Sequence, residues 1–359
     1  MPDTQPQKTP AHQEPQQHLP AYQARNALVT LAYGAMVSHT VGAAVRLGVV
    51  DRIGDGARAA DDLAAECAAQ PRSFTRLLRA LTGLGLLTEP TPGHFAVTAV
   101  GAQLRGDIPG SLQSFARMFT DPTLLRAWEC LDDSVRTGTP AFDAVHGTDF
   151  FGYLAEHPVL SAEFNAAMSQ ATRHTAELLP TAFPFERFGT VADLGGGDGT
   201  LLAGVLRAHP ALRGIVFDRA EGLAQAGPRL AADGLTDRCS LVTGDFFATA
   251  PEGADLYLLK SVIHDWNDEQ CGQILGHVRR VVPDHGRLLI VEPVLPDVAD
   301  PSADVISYLS DLNMLVNVGG RERTREDFER LCGAAGFAVR SVTALPRPDR
   351  FSVIEAEPV

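Results

Sequence analysis

The sequence predicts an α/β protein: a doubly wound sheet of seven strands in the second half of the chain, behind a helical part that includes a winged helix. Three observations carry that reading. An apolar strand, Val191-Ala192-Asp193-Leu194, runs into the loop Gly195-Gly196-Gly197-Asp198-Gly199, and a helix follows from about Thr200 to Ala208. A second strand, Gly214-Ile215-Val216-Phe217, closes on Asp218. Strands then keep alternating with helical periodicity to the end of the chain.

At 359 residues the chain has room for two or three domains and a substantial core. With 45% hydrophobic and 21% charged residues, its composition is ordinary for a soluble globular enzyme. The net charge of −14 argues against a nucleic-acid partner, whose phosphates are bound by Lys and Arg. The five cysteines (67, 130, 239, 271, 332) are scattered and form no Cys-x-x-Cys. They read as small core hydrophobes in a reducing compartment, neither a disulfide framework nor a zinc site. Two of the 30 basic residues are lysines, Lys8 and Lys260, so one lysine stands alone in the folded region.

Residues 1–20 are Pro- and Gln-rich and are expected to be a disordered tail without a signal peptide. Ala27 to Val45 is apolar but carries Ser38, His39, glycines and threonines, and Arg46 follows at once. It reads as a helix buried in a protein interface, not a membrane span; a cytoplasmic protein is expected. Residues 21–105 read as a winged-helix-like domain. Asp61-Asp62-Leu63-Ala64 opens one helix, Ser73 caps another through Leu81, and Pro92-Gly93 turns a hairpin. The recognition helix offers only Arg72, Arg76 and Arg79, which favours a protein–protein role over DNA binding.

Residues 106–180 form a helical connector rich in bulky groups, including Phe115, Met118, Trp128, Phe142, Phe150, Phe151, Phe164 and Met168. A subset at the mouth of the next domain would make a pocket for a flat aromatic ligand. Residues 181–359 hold the sheet, with strands expected at 191–194, 214–218, 239–243, 254–260, 286–292, 337–344 and 351–357. The helix at 268–282 shows one apolar face of Ile274, Leu275, Val278, Val281 and Val282, a capping box from Asn267 to Gln270, and a stop at Pro283.

The glycine loop lets a ligand press against bare main chain, and the following helix aims its positive dipole end there. Asp218 is placed to accept hydrogen bonds from two ribose hydroxyls. The spacing is Gly-x-Gly-x-Gly, with Thr200 where a dinucleotide-binding loop has its last glycine. With Asp193 before it, the loop is similar to motif I of class I S-adenosylmethionine (SAM) methyltransferases. After the fourth strand come Lys260, His264, Asp265 and Trp266, at the sheet edge where open α/β folds bind ligands.

Over residues 25–357 the chain resembles the two-domain, SAM-dependent O-methyltransferases of the plant caffeic-acid type, especially their actinobacterial relatives acting on aromatic natural products. The resemblance rests on five segments in order: Asp193 to Gly199, Gly244-Asp245-Phe246-Phe247, Lys260 to Trp266, Glu292-Pro293, and Gly319-Gly320-Arg321-Glu322-Arg323-Thr324. It implies a Rossmann-like seven-stranded sheet behind an N-terminal all-α, winged-helix homodimerisation domain at 21–105 that lends residues to the partner's pocket. Gly195 and Gly197 would hold the methionine part of SAM, Asp218 the ribose, and Asp245 and Phe246 the adenine, with Trp266 and Lys260 as further cofactor contacts. His264 is implied as general base, oriented by Glu292 and Glu322. Met118, Trp128, Phe164, Met168, Asn313 and Met314 match pocket-lining positions. The chain departs from the plant pattern at Arg219-Ala220 and in a shorter loop between Met314 and Gly319.

The chemistry fits. A phenol has a pKa of about 10 and is a poor nucleophile when protonated. A histidine within reach can take its proton as the oxygen attacks the methyl. Carboxylates behind the imidazole fix its tautomer and favour the imidazolium. No metal is needed, and no ligand cluster stands out. The alternative is an enzyme of the same fold that binds SAM but hydroxylates, decarboxylates or guides a pericyclization; the complete His264, Glu292 and Glu322 set argues against it. A winged-helix transcription regulator conflicts with the acidic charge, and a dehydrogenase with the glycine spacing.

Overall fold

The computed structural model describes residues 20–300 and 304–359; the expected tail, apart from Pro20, lies outside them. The apolar N-terminal stretch forms two helices, Ala21–Ala32 and Gly34–Arg46, bent by 45° at Tyr33. Gly34 marks the break, as the poorest helix former after proline. No single helix among the described residues is long and apolar enough to cross a membrane, although this bent pair passes that test together. The first helix buries nothing within the chain and leaves Leu28 and Leu31 exposed, as the second does Met36.

The winged helix is present. Helices Ala60–Glu66 and Pro71–Gly83 pack Leu63, Phe74, Leu78 and Leu81 against Leu87 and Phe95 of a small sheet. That sheet runs β1 (Ala57–Ala59), β3 (His94–Val97), β2 (Leu87–Thr91), all antiparallel; β1 was not foreseen because three residues carry no periodicity. One expectation is corrected here. Ser73 does not cap its helix: the helix begins at Pro71, and the Gln70 side chain accepts the Ser73 N–H at 2.7 Å. Proline suits the first helical position, where its missing N–H costs nothing. Arg79 pairs with Glu89, so the face is less basic than its arginines suggest.

Helix Pro158–Ala182 ties the helical part to the sheet. It lies so close to helix Thr200–Ala208 that a Cβ on Gly204 would stand 2.5 Å from the Ala176 carbonyl oxygen. The main sheet contains β4 (Thr190–Leu194), β5 (Arg213–Asp218), β6 (Cys239–Thr243), β7 (Leu256–Lys260), β8 (Arg287–Leu295), β10 (Phe337–Ala344) and β11 (Phe351–Pro358), with β9 (Arg323–Thr324) beside β8. Its order is β10-β11-β8-β7-β4-β5-β6, with β11 antiparallel to both neighbours and the four remaining pairs parallel.

All seven expected strands appear. β7 starts at Leu256, two residues later than expected, and the Asp255 carboxylate just before it accepts the N–H groups of Gly189 and Thr190. β8 continues past Glu292 to Leu295, where the short β9 joins it. Helix Asp268–Val281 has the expected Asn267–Gln270 capping box, and Cys271 joins its buried face. The sheet is covered on both sides, and its parallel strands β4, β5 and β7 end together on one edge at Leu194, Asp218 and Lys260.

Candidate active site

His264 sits in a single turn, Ile263–Asp265, just past the end of β7. Glu292, on the neighbouring strand and fully buried, organises that turn: its Oε1 accepts the N–H groups of Val262 and Ile263 at 2.9 and 3.0 Å. Its Oε2 lies 3.3 Å from His264 Nδ1. Glu322 Oε1 is 3.1 Å from the same nitrogen and is itself held by the Ser310 hydroxyl at 2.7 Å. The Glu322 N–H donates to Asp311, so both ends of that residue are fixed from helix Val305–Asn317. Two carboxylates face Nδ1, which assigns a proton there and leaves Nε2 as the nitrogen that neither of them engages. Asp265 Oδ1 lies 3.6 Å from Nε2.

Burial pulls the imidazole pKa down, but Glu292, Asp265 and Glu322 outweigh it and hold His264 at about 10. Burial likewise raises Glu292, against the pull of His264, and raises Asp265 to about 7. At neutral pH the ligand-free site therefore holds an imidazolium among carboxyls. It becomes a base when positive charge arrives nearby, or when a carboxylate charge is lost, since either lowers that pKa. The expectation of no metal-ligand cluster needs correcting in one respect. His264, Glu292 and Glu322 each offer an atom within 4.8 Å of the others, a grouping able to hold an ion. A proton on Nδ1 occupies the same place.

Sequence reasoning missed how the turn is fixed from outside. The side chain of Arg323, among the largest fully buried groups, donates to the carbonyls of Ile263 at 2.7 Å and Trp266 at 3.0 Å, on either side of His264. Asp268 neutralises it at 2.7 Å. The Arg321 N–H holds the His264 carbonyl at 2.9 Å. Gly320 lies so near that a Cβ there would stand 2.0 Å from that oxygen. The Gly-Gly-Arg-Glu-Arg-Thr string was the available signal; what hid its role was that the contacts are to backbone.

The glycine loop lies beside this turn. Gly195 and Gly197 have φ of +70° and +56°, and a Cβ on Gly197 would meet nothing within 4 Å, so the main chain there is open to a ligand. Asp218 accepts the N–H groups of Gly197 at 2.8 Å and Arg219 at 2.7 Å, with lone pairs remaining for two hydroxyls. Burial raises its pKa against those two bonds. Buried Asp193 is pushed to about 8 by burial and by Asp218, and its Oδ2 has no hydrogen-bond partner among the described residues. Asp245 accepts the Phe247 N–H at 2.8 Å and so shapes the next loop. Phe246 lies against Gly195 and Trp266.

Trp266 stacks on Phe151 and has a buried Nε1 with no hydrogen-bond partner among the described residues. Lys260 points to the long helix, donating to Thr172 at 3.1 Å with its ammonium 4.4 Å over Phe351. Burial lowers it to about 8 despite Glu292, Asp349 and Asp193.

Met118, Trp128, Phe164 and Met168 meet in one apolar cluster with Phe142, Phe150, Phe151 and Val316. Asn313 joins it through a 3.1 Å hydrogen bond from Trp128 Nε1, and Met314 is buried beside it on the same helix.

Two family models match the chain: an O-methyltransferase domain over residues 128–338 and an O-methyltransferase dimerisation domain over residues 29–105. The chain is 46% identical to an O-demethylpuromycin-O-methyltransferase of Streptomyces alboniger, over 97% of this chain and 93% of that protein. Among solved structures it is similar to mitomycin 7-O-methyltransferase, with a TM-score of 0.87 and 34% identity over 94% of this chain and 98% of that one. It is also similar to an O-methyltransferase from neocarzinostatin biosynthesis in complex with SAM and 2-hydroxy-5-methyl naphthoic acid. There the TM-score is 0.78 and identity 32%, over 92% of this chain and 98% of that one.

Proposed function

The chain belongs to the SAM-dependent O-methyltransferase family, and from that premise we propose that it methylates a phenolic or polyketide-like hydroxyl of a small aromatic natural product, with His264 as general base. The observation that carries this is the pair of buried carboxylates on His264 Nδ1, at 3.1 and 3.3 Å, which leaves Nε2 as the nitrogen able to take a proton. When bound, SAM supplies an already activated methyl group. The open main chain at Gly197, the spare lone pairs of Asp218 and the Asp193 Oδ2 that has no partner among the described residues fit such a group, with Gly195 holding the turn beside it at positive φ. Asp245 and Phe246 would frame its adenine, with Trp266 and Lys260 as further contacts.

His264 Nε2 takes the phenol proton, and Glu292 and Glu322 keep the ring aligned and favour the imidazolium that results. Alignment of the acceptor oxygen with the methyl group supplies much of the rate. Met118, Trp128, Phe164, Met168, Asn313 and Met314 wall the aromatic acceptor. The division is a winged-helix dimerisation domain at 21–105, a connector at 106–180 and a catalytic domain at 181–359. The exposed Leu28, Leu31 and Met36 support a homodimer formed through the first of these. The acidic chain is cytoplasmic in this reading, with neither nucleic acid nor membrane as partner.

The test is incubation of hydroxylated aromatics with methyl-labelled SAM. Label in an ether-linked methyl group of the product supports the reading. Altered product without label would move the enzyme to the non-methylating alternative.

A further inference from the structure

Asn313 is not a passive part of the pocket wall. Its Oδ1 accepts two hydrogen bonds, from Trp128 Nε1 at 3.1 Å and from Asn317 Nδ2 at 2.9 Å. An indole N–H can only donate, so the Asn313 amide is fixed with its oxygen toward Trp128 and its NH2 group turned away. That NH2 bonds to nothing among the described residues, yet it is not sealed inside the fold. Asn317, 2% exposed, has its amide oxygen left without a donor among the described residues. Among the described residues the pair thus keeps the whole Asn313 NH2 group and the Asn317 amide oxygen unspent.

The position gives this meaning. Asn313 lies one helical turn beyond Ser310, whose hydroxyl holds Glu322 and through it His264. Trp128, on its other side, belongs to the cluster containing Met118, Phe164 and Met168. A donor fixed in this way, against the apolar cluster and on the helix that steadies Glu322, discriminates strongly, because a substrate that cannot accept from it leaves a polar group unpaired.

Resting on the O-methyl-transfer reading above, we propose that the locked Asn313 amide is a specificity-determining donor. It selects aromatic acceptors that carry, besides the hydroxyl to be methylated, a second oxygen able to accept a hydrogen bond, such as an ether, carbonyl or phenolate. Asn317 and Trp128 are positioning residues that hold this polarity.

The experiment uses isosteric probes, 2-methoxyphenol against 2-ethylphenol and 2-methoxy-1-naphthol against 2-ethyl-1-naphthol, with methyl-labelled SAM. Wild-type kcat/KM should favour the oxygenated member of each pair roughly tenfold, the size of one net hydrogen bond. Asn313→Leu should bring the ratio to about one, since no donor remains. Asn313→Asp, which keeps the bonds from Trp128 and Asn317 but offers oxygen in place of NH2, should invert it. Trp128→Phe should weaken the preference by letting the amide turn over. Affinity for S-adenosylhomocysteine (SAH) checks that each variant is folded. A wild-type ratio near one, or a preference surviving Asn313→Leu, overturns the donor role while leaving methyl transfer intact. Absence of label in all four probes overturns it together with the phenol-methylation reading.

Discussion

Gly320→Ala isolates the placement of the base from its chemistry. The new Cβ would stand 2.0 Å from the His264 oxygen, 2.4 Å from the Asp265 carbonyl carbon and 2.6 Å from the Trp266 nitrogen. All three are backbone atoms, so no side chain can rotate away. Because Cβ contacts under 3.0 Å essentially never occur, the turn must retreat by at least 1.0 Å from the histidine oxygen. A misplacement of about 1 Å costs on the order of 100-fold in rate, or about 2.7 kcal/mol of activation free energy. The loss should fall mainly on kcat, with a smaller change in SAH affinity, because the glycine loop and Asp218 are not displaced and only Trp266 among the proposed cofactor contacts moves with the turn. Gly276→Ala is the control: nothing lies within 4 Å of that Cβ, and the position is inside helix Asp268–Val281. It should leave kcat unchanged and raise stability by about 0.5–1 kcal/mol. Steady-state kinetics with labelled SAM, beside SAH titration by calorimetry, read both. A Gly320→Ala enzyme that unfolds cooperatively yet turns over within about threefold of wild type would refute the steric argument.

Three further outcomes are expected. Removing one of the carboxylates that raise His264, by Asp265→Asn, should move the ascending limb of kcat/KM against pH to lower pH, because the neutral imidazole is then reached earlier; an unmoved limb would mean that another group titrates. Asn267→Ala removes the capping box of helix Asp268–Val281 and should cost about 1 kcal/mol in urea unfolding, with a cost near zero contradicting its role. Leu31→Glu with Met36→Glu places charge on the exposed N-terminal face and should yield a monomer by light scattering; an intact dimer would place the interface elsewhere.

Most of the sheet was legible because its signals are local. The run from Val191 into three glycines, the acid ending β5 and the Asn267–Gln270 box each need only neighbours in sequence. His264 was legible for a similar reason: it follows a strand whose carboxyl end must lie at the ligand edge. What stayed hidden was tertiary. Arg323 gives no sign that its partners are the carbonyls of Ile263 and Trp266, and Ser310 and Asp311 give none that they steady Glu322. Ser73 misled because a hydroxyl near a helix start usually caps, whereas Pro71 moves the start earlier and hands the cap to Gln70. The single N-terminal helix became two because hydrophobicity marks burial in an interface but not the bend at Tyr33.

The most direct test of the account is methyl transfer to a phenolic acceptor by His264→Ala, measured with labelled SAM beside the variant's affinity for SAH. The account expects transfer to fall by a factor of about 10² to 10⁴, the usual contribution of a general base, with SAH bound as tightly as before. Transfer at the wild-type rate would contradict it and return the role of base to another residue.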